Sequence, residues 1–357
     1  MSAEPPKDPL VFDFGIGFKS SADRLQGERA ERRELAARGL PFGIQYLDDV
    51  MRNILPHDLI LLGAETGAGK TEAARIISSH NAQAGKNVYY FALEAEDKEI
   101  ERRTKFSILC DLLADRNPSR LGEMNYPDWY RGECDSFLVG LDVEADKILA
   151  EKYKTLFTYY RGSKFDHHDI KRLFLAIQSQ ADLIVLDHLH YVDIEDENEN
   201  RGFKTTIKMI RDVALGIGRP VLLIAHLRKR NTQLKSIVPD IGEFHGSSDI
   251  TKVVTHSVML APARCMPSTK HGISNTFIHV PKDRMGGTTG LVALCEFDRR
   301  LKSYGPTYTL GRQVGDTFEP LGTAEAPRWA KHHQPLASPL GGADLDEWGE
   351  PKQWGNS

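Results

Sequence analysis

The sequence has few cysteines, no long apolar run and no excess of charge of either sign. Its 4 cysteines in 357 residues form no C-x-x-C pair, so neither a zinc knuckle nor a disulfide scaffold is expected, and a reducing cytosol is the expected compartment. No apolar run reaches the roughly 20 residues of a membrane helix, and the amino terminus lacks the pattern of a secretory signal. With 46 basic and 50 acidic residues, nonspecific coating of nucleic acid by a basic exterior is excluded.

Composition divides the chain into three parts. Residues 1–40 are expected to form a leader and a helix, and residues 41–321 a single large domain. Inside that domain, residues 115–146 lack a regular pattern and are interpreted as an insertion of loops and short helices. Residues 322–357 are rich in Pro, Gly and charge and poor in aliphatics, which predicts a disordered tail.

The central part alternates strand-like and helix-like segments, which predicts an α/β fold with a mostly parallel sheet and helices on both faces. The last strands follow each other closely, so we expect an antiparallel edge. The apolar runs that predict strands are 59–62, 88–92, 156–160, 183–186, 221–225, 254–260, 277–280 and 291–297. The helix-patterned stretches are 71–84, 98–114, 168–180 and 204–215.

The strongest functional signal is a glycine-rich loop between an apolar strand and a helix, the order of a P-loop. Gly67 and Gly69 allow backbone amides to turn toward phosphate, and a helix starting near Lys70 directs its positive dipole end at the same anion. Lys70 can reach the β- and γ-phosphates, and the Thr71 hydroxyl can bind Mg²⁺. Ala64 stands at the usual first glycine and is its smallest substitute. The predicted nucleotide site is Ala64, Glu65, Thr66, Gly67, Ala68, Gly69, Lys70 and Thr71.

Two further predicted strands end in acids. Asp187 follows an apolar strand, where P-loop enzymes carry the carboxylate that holds Mg²⁺ through water. Glu94 ends the strand after the P-loop helix and is the candidate general base for water attack. The alternative for Glu94 is a helix-start acid stabilised by the dipole, which neighbouring Glu96 keeps open. His188 and His190 beside Asp187 are interpreted as alternating on one strand face, but no third metal ligand is identifiable.

Two later segments complete the chemistry. His226 ends a predicted strand, where it can contact the γ-phosphate; the alternative is a hydrogen-bonded strand-end histidine. Lys282 and Arg284 lie two residues apart on an extended segment, so both cations point the same way. Such a pair can stabilise charge on a transferring phosphoryl group, as an arginine finger does. By itself, K-x-R is more often a solvated basic pair.

The joint order of these motifs over residues 22–312 resembles the DnaB-like replicative helicases, ring-forming ATPases of the RecA fold. The resemblance implies ATP and Mg²⁺ as cofactors, a homo-oligomer that is a hexamer in the family, and single-stranded DNA as partner. It makes Glu94 the catalytic glutamate, Asp187 the Walker B acid and His226 a γ-phosphate sensor. In the family, the cations corresponding to Lys282 and Arg284 reach the ATP of the neighbouring subunit.

The resemblance also implies roles for less specific segments. Residues 20–38, whose cap is Ser20 or Ser21, correspond to a linker helix that docks on the adjacent subunit; the alternative is a solvated leader helix. Two segments, around residues 227–235 and 244–252, are candidates for DNA-binding channel loops. The first is equally interpretable as a solvated charge run. The candidate DNA contacts are Arg228, Lys229, Arg230, Lys235, Gly246, Ser247 and Lys252.

The sequence departs from the bacterial pattern in two ways. The channel arginine of those enzymes is not evident near residues 242–245, and only about 40 residues precede the core, so the primase-binding helical domain has no counterpart here. We therefore expect a minimal motor of a phage or plasmid replication system, acting in the bacterial or infected-cell cytosol. Primase or loader binding cannot be carried over.

Three hypotheses follow from the sequence. The leading one is a ring-forming, ATP-dependent DNA helicase that hydrolyses ATP between subunits. The first alternative is a RadA- or KaiC-like ATPase, which shares the core. The second is a nucleotide-gated scaffold or loader with little turnover, which differs in having an ATPase rate that single-stranded DNA leaves unchanged.

Overall fold

The computed structural model describes residues 20–65, 68–194, 199–227, 236–239, 241–244, 252–286 and 289–336. The chain divides into two units, residues 1–39 and 40–357.

The first unit contains two short helices instead of the single predicted one. Helix α1 (Ser21–Leu25) is capped by the Ser20 hydroxyl, which accepts a hydrogen bond from the Asp23 amide at 3.1 Å. Helix α2 (Glu28–Ala37) starts after Gly27, whose φ of +84° interrupts the helix. No residue of either helix is buried.

The second unit is built from ten strands and seven helices among the described residues. The helices are α3 (Gln45–Met51), α4 (Lys70–Gln83), α5 (Glu99–Arg116), α6 (Tyr126–Tyr130), α7 (Ser136–Lys152), α8 (His167–Ile177) and α9 (Glu199–Ile217). The strands are β1 (Leu59–Ala64), β2 (Val88–Ala92), β3 (Leu156–Tyr160), β4 (Leu183–Asp187), β5 (Val221–His226), β6 (His256–Pro262), β7 (Ile273–Asp283), β8 (Val292–Asp298), β9 (Ser303–Val314) and β10 (Thr317–Pro320).

All ten strands form one sheet in the order β10-β9-β8-β7-β6-β1-β5-β4-β2-β3. The six strands from β6 to β3 are parallel, and the remaining four join them as antiparallel neighbours. This confirms the predicted parallel sheet with an antiparallel edge, although its last two strands were not predicted. Because β1 lies inside the sheet, its carboxyl end meets those of β5 and β6.

The sheet is covered on both faces, as predicted. Along β1, Ile60 and Leu62 belong to one buried cluster together with residues of α3, α4, α5 and α7. Leu59 and Leu61 belong to a second cluster with residues of α8 and α9. Alternate side chains of a strand point to opposite faces, so β1 contributes to both cores. No helix among the described residues has the length and apolar character to cross a bilayer.

Two of the predicted irregular regions are more ordered than expected. Within the second half of the predicted insertion, Asp135 caps the start of α7, a 17-residue helix. The prediction of disorder is wrong for residues 322–336, which pack along β9. There Gln334 donates its amide to the Tyr308 carbonyl at 2.8 Å, and His333 Nδ1 accepts from the Leu310 amide at 3.0 Å. This segment is held to the sheet by aromatic and backbone contacts, which do not require many aliphatic side chains.

Candidate nucleotide site

The phosphate loop lies between β1 and α4, as predicted. Ala64 ends β1, Glu65 follows it, and Gly69 has a φ of +85° immediately before the helix starts at Lys70. Thr66 and Gly67 lie outside the described residues. Beside the loop is a cavity of about 750 Å³. Eight of its lining residues are ones predicted for the site from the sequence: Glu65, Ala68, Gly69, Lys70, Thr71, Glu94, Asp187 and His226.

Asp187 lies at the end of β4 with its carboxylate buried beside Thr71. Its Oδ2 accepts a hydrogen bond from the Tyr90 hydroxyl at 2.6 Å, whereas its Oδ1 is buried with no hydrogen-bond partner among the described residues. Burial raises the pKa of Asp187 to about 6, helped by the charge of Glu94 and opposed by Tyr90, Lys70 and the Thr71 hydroxyl. A bound cation would satisfy Oδ1 and keep the carboxylate ionised, so Asp187 and the neighbouring Thr71 hydroxyl fit a Mg²⁺ site.

Lys70 brings two of the predicted catalytic side chains together. Its Nζ lies 3.5 Å from Glu94 Oε2 and 3.0 and 3.1 Å from the two ring nitrogens of His226. The three residues come from the start of α4, the loop after β2 and the end of β5. Two strands lie between β2 and β1 in the sheet, yet the loop after β2 reaches back to the phosphate loop.

Glu94 is not a helix-start residue. Strand β2 ends at Ala92 and helix α5 starts only at Glu99, so Glu94 lies in the connecting loop and lines the cavity. The dipole alternative raised by the sequence therefore does not apply to it. Its carboxylate is 39% exposed, which leaves room for a water molecule on its outer side.

His188, considered from the sequence only as a metal ligand, faces the same site. It does not lie on a strand: β4 ends at Asp187, and a single 3₁₀ turn follows at Leu189–Tyr191. The His188 side chain is fully buried, and its Nε2 lies 2.8 Å from Glu94 Oε2. Among the described residues, Glu94, His188 and His226 are the three metal-ligand side chains whose ligand atoms cluster, all within 4.8 Å of one another.

The opposite wall of the cavity contains residues that sequence reasoning missed. Arg103 of α5 binds the buried Glu72 at 2.6 Å and Glu99 at 2.5 Å. Burial works to raise the pKa of Glu72, but the surrounding cations outweigh it and lower this pKa to about 2. Further lining residues come from β7, β8 and β9 and the turn between the last two: Ser274, Asn275, Thr276, Phe297, Arg299, Lys302 and Tyr304. These residues are far from the phosphate loop in the sequence and come close to it only because the strands pair in one sheet.

The predicted finger residues do not line this cavity. The cavity-lining residues of β7 are at its start, whereas Lys282 is next to last in the strand, six residues beyond Thr276. Six residues of strand span about 20 Å. Lys282 pairs with Ser257 of β6, which pairs with Leu61 of β1, three residues before the end of β1. The K-x-R pair therefore lies toward the amino ends of β1 and β6, whereas the cavity lies at their carboxyl ends.

The basic pair belongs to a cationic surface with Arg211 of α9. Burial lowers the pKa of Lys282, and the charges of Arg284 and Arg211 lower it further. Between the two cations, Asp283 turns inward and accepts a hydrogen bond from the Met285 amide at 3.1 Å. Its Oδ1 also lies 3.1 Å from His256 Nδ1, so the turn that carries Arg284 is fixed to the start of β6.

Most of the predicted DNA contacts lie outside the described residues: Arg228, Lys229, Arg230, Lys235, Gly246 and Ser247. Lys252 is exposed and lies just before β6. These contacts stay predictions.

Three solved structures are similar to this chain. One solved structure, an isolated ATPase domain, has a TM-score of 0.64 at 14% identity, covering 80% of this chain and 98% of that one. A DnaB-like replicative helicase, described with its interactions with primase, has a TM-score of 0.64 at 15% identity, covering 80% and 67%. A KaiC-like protein of Pyrococcus horikoshii has a TM-score of 0.48 at 14% identity, covering 80% and 99%. No curated protein matches the chain by sequence.

The first two likenesses show a shared fold, the RecA-like arrangement expected from the sequence. The model of the DnaB-like helicase C-terminal domain matches residues 39–304, about three quarters of the chain. The chain therefore belongs to the DnaB-like helicase family, of which it carries the C-terminal ATPase domain.

Proposed function

We propose that this protein is an ATP-dependent DNA helicase whose protomers form a ring and hydrolyse ATP at the interfaces between them. Lys70 binds the β- and γ-phosphates, and Thr71 and Asp187 hold Mg²⁺, which neutralises phosphate charge when bound. Glu94 accepts a proton from the attacking water, and His226 contacts the γ-phosphate from the end of β5. Residues 227–235, which follow His226 in the chain, are the proposed contact to single-stranded DNA.

The observation that carries the proposal is the separation within one chain of the phosphate loop and the K-x-R pair. Lys282 lies about 20 Å along β7 from the residues that line the cavity, and Arg284 follows the end of the strand. Neither side chain reaches a nucleotide bound in the cavity of its own protomer. A second copy that packs its Arg284 edge against this cavity supplies the missing cations, and a closed ring repeats that contact at every interface.

The linker helices support the same assembly. Helices α1 and α2 bury no residue, and Leu25 is 64% exposed. We propose that they dock on the adjacent subunit. If these helices hold the ring together, a protein that lacks residues 1–39 should not assemble into a ring.

A mixing experiment tests catalysis between subunits. Lys70→Ala removes the phosphate contact and Arg284→Ala removes the finger, so each variant alone is expected to lose at least about 100-fold in ATP turnover. In a mixture, some interfaces combine an intact Lys70 from one subunit with an intact Arg284 from the next. We expect the mixture to recover a measurable fraction of wild-type turnover, measured by phosphate release.

The control is a mixture of Lys70→Ala with the double variant Lys70→Ala/Arg284→Ala, in which no interface can be intact. Recovery in that mixture, or wild-type turnover by Arg284→Ala alone, would contradict the proposal. Turnover measured with and without single-stranded DNA, beside particle mass with a non-hydrolysable ATP analogue, tests the translocase. A monomer whose turnover DNA leaves unchanged would favour the nucleotide-gated scaffold.

A further inference from the structure

His188 and Glu94 form a contact that the proposed mechanism does not yet use. The His188 side chain is fully buried, and its Nε2 lies 2.8 Å from Glu94 Oε2. The ring is fixed by an edge contact with Tyr191, at a centroid distance of 4.8 Å, and one with His226 at 4.0 Å. A rigid, buried ring therefore presents one nitrogen to the carboxylate proposed as the general base.

The backbone fixes which ring nitrogen of His188 carries the proton. The His190 amide donates a hydrogen bond to His188 Nδ1 at 3.3 Å, so Nδ1 is an acceptor. A ring nitrogen that accepts a hydrogen bond carries no proton, so the His188 ring is neutral. A neutral imidazole whose Nδ1 accepts has its proton on Nε2, the atom that faces Glu94.

The same tautomer argues against a metal at this cluster. The ligand atoms of Glu94, His188 and His226 are close enough to share a cation. Metal binding at His188 Nε2 would require its proton to leave, and a neutral ring would then carry that proton on Nδ1, against the His190 amide. The ammonium of Lys70, 3.0 Å from His226, adds like charge to the position a metal would take.

We propose that His188 is a positioning residue, whose neutral Nε2–H donates a hydrogen bond to Glu94 Oε2 and turns the other carboxylate oxygen toward the attacking water. The inference rests on the proposed function. The contact is short but not well aligned as it stands, and rotation of the partly exposed Glu94 carboxylate aligns it. One oxygen is then held and the other is left to accept a proton, as a general base must.

The experiment compares two substitutions that differ in the donor they retain. His188→Gln keeps an N–H near the position of Nε2, whereas His188→Leu keeps the bulk without a donor. We expect His188→Leu to lower kcat about 10- to 100-fold with less than about a threefold change in KM for ATP, because a misdirected base affects the reaction more than binding. His188→Gln should recover most of kcat. His168→Gln, at an exposed position near the start of α8, is the matched control and should be unaffected.

Three further measurements separate a positioning role of His188 from a loss of folding and from a metal site. Thermal unfolding of each variant identifies a loss that is due to folding. In ¹⁵N-labelled wild-type protein, the His188 imidazole should show the Nε2–H tautomer. Titration of the wild-type protein with Zn²⁺ alone tests the competing site. An Nδ1–H tautomer, Zn²⁺ binding that His188→Leu abolishes, or full turnover by a folded His188→Leu protein would overturn the inference.

Failure of the inference is distinguishable from failure of the proposed function. If the wild-type protein hydrolyses ATP and Glu94→Gln abolishes turnover while His188→Leu does not, only the positioning role of His188 is lost. If the wild-type ring has no turnover with DNA and Mg²⁺, the proposed function itself fails.

Discussion

The buried charge of His256 should make the protein's stability depend on pH in an unusual direction. Its two ring nitrogens lie 3.2 Å from Asp58 Oδ1 and 3.1 Å from Asp283 Oδ1, and its side chain is 5% exposed. Both nitrogens can donate only when the ring is protonated. Burial works to lower the pKa of His256, but the two carboxylates outweigh it and raise this pKa to about 9.

The expected magnitude follows from the difference between that value and the ordinary histidine pKa of about 6.5, which corresponds to about 3 kcal/mol. A raised pKa means that the folded state binds the proton more tightly than the unfolded state. The contribution is therefore complete below about pH 6.5 and is lost as the pH rises to about 9. We expect His256→Gln to lower the free energy of unfolding by about 3 kcal/mol near pH 6.

The assay is urea unfolding of the wild-type and His256→Gln proteins at about pH 6, 7.5 and 9.5. The difference between them cancels the other titrating groups, and it should shrink to below about 1 kcal/mol at the highest pH. His271→Gln, an exposed histidine, is the control and should show no difference at any pH. A difference that is the same at pH 6 and 9.5 would refute the reasoning, because the loss would then come from packing alone.

Three further predictions concern the site and its support. Glu94→Gln should bind a fluorescent ATP analogue normally but lower turnover at least about 100-fold, and unchanged turnover would exclude it as the base. Arg103→Met should cost about 1–3 kcal/mol in thermal unfolding because it leaves the Glu72 carboxylate, 8% exposed, with one partner fewer; a neutral effect would mean that Arg75 suffices. Gly63→Val should destabilise by about 1–3 kcal/mol, because a Cβ there would lie 2.4 Å from the Phe244 ring, whereas Gly140→Ala, with open space, should not.

The features that could be predicted well are those encoded by neighbouring residues. The phosphate loop is a strand, a glycine-rich turn and a helix in one short stretch, so Lys70 and Thr71 could be assigned directly. Asp187 follows four buried aliphatics and ends β4 as expected. The carboxyl ends of parallel strands share one edge of the sheet, which is why the loop that carries Glu94 comes close to Lys70.

The features that were missed depend on contacts between distant parts of the chain. His256 and Asp58 are 198 residues apart, and nothing near either one marks the pair. Residues 322–336 read as disordered because their packing uses aromatic and backbone groups, including Trp329 at 6.3 Å from Tyr46. The sequence pattern predicts a strand that includes His188, whereas β4 ends one residue before it and the ring faces Glu94. By contrast, the break at Gly27 had a local signal in the glycine itself.

Strand β7 would connect two nucleotide sites in the proposed ring of protomers. Its first residues line the cavity of one protomer, and its last residues carry the turn of Lys282 and Arg284. Residues 276–283 of β7 pair with β6 and residues 273–279 pair with β8, so backbone pairing limits bending along the strand. In the proposed ring, a displacement at the nucleotide end of β7 would therefore reach the turn that carries Arg284. The same strand would then connect the nucleotide site of one protomer to that of its neighbour.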